Sequence, residues 1–408
     1  MTPEGWVHTK LGKVAATVTS GSRDWAQYYS DSGAKFIRMT NLRRDGIDLN
    51  LDDLKFVDVK SDSADGKRTQ LKHGDILISI TAELGKIGWI PNNLGEAYIN
   101  QHTALVRLKK KHSDSKFIAY LLSSKKMHNS INRLNDAGAK AGLNLQTIKS
   151  IPIVLPPIGE QAKIANILST WDKAIEIVEK LIDNSRAQKK ALMQQLLSGK
   201  KRLPGFNDKW EYKKISQIAK RIQRKSDSQE HPILTISSLT GFVTQEERYS
   251  RYMAGESVNN YILLKNGEFA YNKGNSKTYQ FGCVFDLETF KTGLVPHVYV
   301  CFKLNKELSH RFYKYLFEAD YLKPQLGRLV NTGVRNNGLL NIKPSEFMGT
   351  KVPVPSYEEQ EKIADLLHTA NQNISNLRTQ LDLLKEEKRA LMQQLLTGKR
   401  RVKVEAAA

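Results

Sequence analysis

Two kinds of side chain able to do chemistry cluster along this chain, and both bind rather than react. In the first half they are Arg38, Thr40, Asn41, Arg43 and Arg44, then Lys67 and Arg68, then Lys86, then Asn100, Gln101 and His102. In the second half they are Tyr271, Asn272, Lys273, Asn275, Ser276 and Lys277, followed by Arg335, Asn336 and Asn337. Arginine, lysine, asparagine and glutamine bond to the edges of guanine and adenine in the major groove, while lysine, serine and backbone amides hold phosphates. Signatures of catalysis are missing from the sequence. There is no GxxxxGK[ST], no GxGxxG, no HExxH and no Asn-Pro-Pro-aromatic run. Asp286, Glu288 and Lys291 are too loosely spaced for a nuclease cluster, and His297 after Pro296 reads as a turn residue. Cys283 and Cys301 lie in apolar, strand-like runs and read as small buried hydrophobes, since a structural zinc site normally needs four ligands.

Charge points the same way. Of the net +21, the segment 1–155 carries +8 and 200–355 carries +11, whereas 156–199 and 356–408 carry +1 each. A domain with such an excess attracts a polyanion, and a nearly neutral segment is suited to packing on protein. No run of 18 or more apolar residues is present, so no membrane span is expected, and the N-terminus has no basic-then-apolar signal, which implies a cytoplasmic location.

The elements that position these clusters come in duplicate. Residues 156–200 align without a gap to 355–399, 199 residues later, with 20 of 45 positions identical. Each copy follows a stretch of about 155 residues that opens alike, Trp6, Lys10, Leu11, Val14 and Ala15 matching Trp210, Lys214, Ile215, Ile218 and Ala219. Leu71-Lys72-His73-Gly74-Asp75-Ile76 also resembles Leu264-Lys265-Asn266-Gly267-Glu268-Phe269. The expected organisation is a globular domain over 1–155, a helix over 156–199, a second globular domain over 200–355, a second helix over 356–400, and a tail over 401–408. Short apolar strands mixed with helical pieces make each globular part α/β or α+β.

Within the helices, Ile164, Leu168, Trp171, Ile175, Val178, Ile182, Ser185, Lys189, Leu192 and Leu196 follow a 4,3 spacing, matched by Ile363, Leu367, Ala370, Ile374, Leu377, Leu381, Leu384, Lys388, Leu391 and Leu395. That is a coiled-coil seam, and two antiparallel helices of about 40 residues, roughly 60 Å at 1.5 Å per residue, would give the chain internal pseudo-two-fold symmetry. Ile164, Leu168, Ile175, Leu192, Leu196, Ile363, Leu367, Ile374, Leu391 and Leu395 are the candidates for this seam and for partner docking. Lys189 and Lys388 interrupt it, and the preferred reading sends their ammonium ends to water. Pro157 suits a helix start, Ser356 with Glu359 forms a capping-box pattern, and Gly199 and Gly398 are helix stops.

The ordered, duplicated set of motifs resembles the specificity subunits of Type I restriction-modification systems. It comprises Lys72-His73-Gly74-Asp75-Ile76, Leu84-Gly85-Lys86-Ile87-Gly88, Ile99-Asn100-Gln101-His102, Pro156-Pro157 with Glu160-Gln161, Glu359-Gln360, and Tyr271-Asn272-Lys273-Gly274-Asn275-Ser276. The resemblance implies two target recognition domains that each read one part of a split double-stranded DNA sequence. It implies helices that set the spacing and dock two methyltransferase subunits, which bind S-adenosylmethionine, with restriction subunits using ATP and Mg added to that core. No cofactor, metal or catalytic residue is implied for this chain. The alternative is a stand-alone bipartite DNA-binding protein, architectural factor or repressor; an enzyme with its own chemistry is disfavoured by the missing motifs.

Overall fold

The computed structural model describes residues 3–22, 25–109, 113–134, 142–227, 229–249, 255–274, 276–330 and 339–404. The chain divides into two compact units, residues 1–179 with 379–408, and residues 180–378. Each long helix, Ile158–Leu196 and Tyr357–Leu395, contributes to both.

The first unit is built on a four-stranded antiparallel sheet in the order Ala15–Ser20, Thr103–Leu108, Ile76–Ser79, Ile87–Trp89. Ile76–Ser79 is buried along its whole length, the apolar run Ile76-Leu77-Ile78 being followed by Ser79, whose hydroxyl donates to the Glu83 carbonyl. Helix Ser115–Ser123, capped by the Asp114 carboxylate accepting from the Phe117 amide at 2.7 Å, buries Phe117, Ile118, Tyr120, Leu121 and Leu122 in the same core. A second sheet pairs Tyr29–Ser30, Lys55–Val57, Ala34–Ile37 and Ala97–Ile99, the last pair in parallel. Strand Val7–Lys10 pairs with Pro152–Leu155, tying the chain start to the residues just before the helix.

The second unit repeats the plan. Its sheet runs Ala219–Ile222, Val300–Leu304, Phe269–Asn272, Cys283–Asp286, helix His310–Glu318 is capped by Ser309, and Glu211–Lys214 pairs with Lys351–Val354. Two extra hairpin-like pairs, Leu234–Ser237 with Gly241–Thr244 and Ile262–Lys265 with Thr292–Val295, distinguish it. The repeated Gly-acid motif now has a reason. Asp75 accepts from the Lys72 amide at 2.7 Å and binds Arg107 through both oxygens, at 2.8 and 2.6 Å. Glu268 accepts from the Lys265 amide at 2.8 Å and pairs with Arg224 at 2.6 Å. The preceding Gly74 and Gly267 sit at φ +84° and +77°, left-handed backbone that glycine adopts at little cost.

Each helix has 39 residues, about 58 Å at 1.5 Å per residue. All twenty seam positions are buried or half-buried. In the first unit Ile164 and Leu168 share a core with Leu395, Leu391 packing at its edge; in the second, Leu196 joins Ile363 and Leu367. The pairing is antiparallel in the first unit, since partners of Glu179, Asp172 and Glu160 are Lys385, Lys388 and Arg401 in turn. Gly199 and Gly398, both at φ +70°, stop the helices as expected.

Two expectations about the helices fail. Lys388 does not reach water: only 8% exposed, it pairs with Asp172, which also accepts from the Tyr120 hydroxyl. Lys189 likewise pairs with Glu318. Each ammonium lies 5.7 Å from a tyrosine ring, Tyr120 and Tyr315. An acid and a tyrosine ring beside each lysine hold its ammonium end within the fold. The capping box is also incomplete. Ser356 does accept from the Glu359 amide at 3.3 Å, but the Glu359 carboxylate is drawn instead to Trp210 and Arg202.

Candidate nucleic-acid interface

Hydrogen bonds decide which candidate side chains remain available to a ligand; Lys67 and Arg68 lie on helix Ala64–Thr69, and Tyr271 and Asn272 on strand Phe269–Asn272. In the first unit, Asn41 is 1% exposed, its oxygen accepting from the Arg38 amide and its NH2 donating to the Asn50 carbonyl at 2.8 Å. It builds the loop and cannot read a base, contrary to expectation. Arg38 is held by the Asp53 carboxylate at 2.9 Å, and the same guanidinium keeps the Asp53 pKa below its ordinary value. Arg44 and Lys86 share Glu83, whose pKa is lowered by Lys86 first and Arg44 second. Arg68 binds Asp65 and Ser22. Thr40, Arg43 and Lys67 stay exposed, and neither Arg43 nor Lys67 has an ion pair among the described residues.

Asn100, Gln101 and His102 divide their labour. Asn100 Oδ1 accepts from the His102 amide at 3.1 Å and from the Thr103 hydroxyl, closing the turn, while the Asn100 carbonyl accepts from Gly21. A Cβ at Gly21 would lie 2.1 Å from the Asn100 carbonyl carbon, so this approach needs glycine. His102 bridges to Thr81 in the turn after strand Ile76–Ser79, with Nδ1 and Oγ1 2.9 Å apart. Gln101 is left half-exposed, bonded to His102.

In the second unit the same sorting applies. Tyr271 is fully buried, stacked on Phe347 with centroids 4.3 Å apart and donating to the Phe281 carbonyl at 2.8 Å; it is a core residue, not a stacking platform for bases. Asn272 accepts from the Gly274 amide, and Ser276 accepts from the Tyr279 amide at 3.0 Å, so both shape the loop. The Lys273 carbonyl accepts from Leu340 at 2.9 Å. Lys277 is exposed. Asn275, Arg335, Asn336 and Asn337 lie outside the described residues.

The repeated Glu-Gln motif at the two helix starts turns inward. Glu160 is 2% exposed and accepts from Trp6 Nε1 at 3.2 Å and from both sides of the Arg401 guanidinium at 2.7 and 2.8 Å. Glu359 does the same with Trp210 at 2.8 Å and Arg202 at 2.7 and 2.8 Å. Gln161 donates to the Pro156 carbonyl and accepts from the Asp114 amide; Gln360 donates to Pro355 and accepts from Ser309. The repeated Glu-Gln therefore locks each globular part onto its own helix. Arg202 and Arg401 are also 199 residues apart, so extending the repeat by two residues marks the pair that the tail assignment passed over.

The ten seam candidates are buried or half-buried, and the helices expose other apolar side chains: Ile177 and Leu383 in the first unit, Leu181 and Leu366 in the second. Asp286, Glu288 and Lys291 form no cluster. Asp286 faces His310 at 3.3 Å, Glu288 pairs with Lys314, and no group of three metal-ligating side chains exists among the described residues. Burial pushes the thiols of Cys283 and Cys301 up to about 12, as expected of inert core residues. No helix among the described residues is long and apolar enough to cross a membrane.

Both units share one sheet order and expose basic side chains, and comparison with known proteins bears on what such a scaffold serves. Residues 3–184 match the family described as the Type I restriction modification DNA specificity domain. The chain is 25% identical over 440 residues to the MjaX specificity subunit of Methanocaldococcus jannaschii, a putative type I restriction enzyme subunit, covering 98% of this chain and 95% of that one. It is 25% identical over 347 residues to the MjaVIII specificity subunit of the same organism, covering 77% and 78%. In fold it is similar to the crystal structure of a type I system S subunit from M. genitalium, with TM-score 0.57, 15% identity and 97% and 99% coverage. Residues 3–184 thus match that specificity-domain family, and over nearly its whole length the chain is similar to specificity subunits of type I restriction enzymes.

Proposed function

We propose that each unit reads one part of a split, asymmetric duplex target, and that the two long helices fix the gap and dock two methyltransferase subunits, through which restriction subunits join. One observation carries this reading. Both units keep the same sheet order and the same Trp-Glu-Arg node at the helix start, while the candidate side chains left open to solvent differ, exposed Arg43 and Lys67 and half-exposed Gln101 against exposed Lys277. A scaffold held constant with different reading groups suits two recognition events at a fixed spacing. Half-sites about one helical turn, roughly 34 Å, apart would lie on one face of the duplex. S-adenosylmethionine, ATP and Mg belong, in this reading, to the partner chains. Exposed Ile158 and Tyr357, equivalent residues at the two helix starts, together with Ile177, Leu383, Leu181 and Leu366, give each unit apolar positions for a partner.

Co-expression with the methyltransferase subunit, then size-exclusion chromatography with light scattering, tests the assembly. Two methyltransferase copies per chain are expected; a single copy would contradict docking at both units, and a chain that takes up none and binds its target alone would favour the stand-alone DNA-binding reading, which the comparisons do not favour.

A further inference from the structure

The half-exposed Gln101 amide is held by a chain of donors that runs back into the first unit. Thr81 Oγ1 donates to Met39 Sδ at 3.9 Å, which leaves its lone pairs facing His102 Nδ1, 2.9 Å away. Nδ1 therefore carries the imidazole proton, and Nε2 keeps its lone pair. That lone pair accepts from Gln101 Nε2 at 3.1 Å. The ring itself is fixed from both sides of the backbone, since the His102 amide donates to Asn100 Oδ1 and the His102 carbonyl accepts from the Ile80 amide, both at 3.1 Å. Thr81 lies next to Ala82, whose φ of +54° turns the loop sharply there.

A primary amide has two N–H bonds, one beside its carbonyl and one pointing away from it. When the outer N–H is spent on His102, the carbonyl and the inner N–H are left side by side on the free edge. That edge matches the N6 donor and N7 acceptor of adenine in the major groove.

We propose that His102 is a positioning residue, holding the Gln101 amide with its adenine-matching edge outward and so setting the base preferred at one position of the first half-site. This rests on the reading that the first unit contacts DNA. Thr81 acts one step further back, by fixing the imidazole tautomer that can accept from Gln101. With the other tautomer, Nε2 would donate, the amide would turn over, and the free edge would no longer match adenine.

The test is a methylation-site map of the complete complex with Gln101→Ala, His102→Ala, Thr81→Val and Thr81→Ser. A bidentate contact gives roughly 5- to 150-fold discrimination. Gln101→Ala and His102→Ala should each reduce this to a few-fold at the same adenine position, and the double variant should relax it no further. Thr81→Val should weaken the preference there, while Thr81→Ser, which keeps the acceptor, should retain it. Positions read by the second unit should stay selected in every variant, which also shows that the complex assembles. Wild-type preference in His102→Ala alongside relaxation in Gln101→Ala, or relaxation at different positions, would overturn the positioning role while leaving DNA reading intact. Unchanged preference in both would overturn it too. A wild-type complex that methylates without sequence selection would overturn both the proposal and the reading beneath it.

Discussion

Replacing Gln161 with alanine should loosen the first unit and leave the second unchanged. The side chain is 1% exposed and bridges two backbone groups, the Pro156 carbonyl at 2.8 Å and the Asp114 amide at 2.9 Å. Deleting it leaves a donor and an acceptor without partners, at about 1–3 kcal/mol each, so the loss should total about 2–6 kcal/mol. Gln360→Ala removes the equivalent bonds, to Pro355 at 2.8 Å and Ser309 at 2.9 Å, and should cost the second unit a similar amount. Since the units need not unfold together, hydrogen exchange followed peptide by peptide is the appropriate assay. A loss of about 2 kcal/mol speeds exchange by about 30-fold, so peptides covering residues 113–122 and 152–165 should respond in the first variant, and those covering 309–317 and 351–364 in the second. A cost below about 0.5 kcal/mol, or equal loosening of both units by either variant, would refute the assignment of the Glu-Gln repeat to intrachain locking.

Three further outcomes follow from particular groups. Asp320, at φ +54°, has its pKa raised to about 6 by burial. An acid raised in this way favours the fold below the unfolded value near 4, and that contribution is lost as pH rises through 6. Asp320→Asn should thus stabilise the second unit by on the order of 1 kcal/mol at pH 7.5, allowing for its partial exposure, and by almost nothing at pH 3.5; an equal gain at both would contradict this in paired denaturation curves. Lys388→Met leaves the Asp172 carboxylate without its cation and should cost the first unit about 3 kcal/mol, most of it recovered in Lys388→Met with Asp172→Leu; chemical denaturation showing no recovery would count against the buried pair. DNA affinity should fall steeply with salt as counterions are released from phosphates, and a slope of log K against log salt near zero would argue against Arg43, Lys67 and Lys277 as phosphate contacts.

The long helices were legible because their period is regular over ten seam positions, and a mismatch anywhere would have broken the pattern. The globular strands were legible where apolar runs are unbroken, as at Ile76-Leu77-Ile78, and the sheet order was not, because it depends on pairings between residues far apart in the chain. The site residues were harder. Asn41, ending the turn Met39–Asn41, and Lys67, on helix Ala64–Thr69, are both polar residues of short elements, and only the fold buries the first and exposes the second. Tyr271 carries a hydroxyl that suggests a surface role, yet its ring stacks on Phe347, 76 residues later in the chain. Lys388 was read toward water because its partners, Asp172 and Tyr120, are more than 200 residues away in sequence.

The claim that the chain reads DNA in two separable parts is tested most directly by exchanging residues 1–155 for the corresponding segment of a relative and mapping methylated sites in cells that supply the partner methyltransferase. One part of the target should change while the other part and the gap between them stay as in the wild type. Change in both parts, or in neither, would contradict the account.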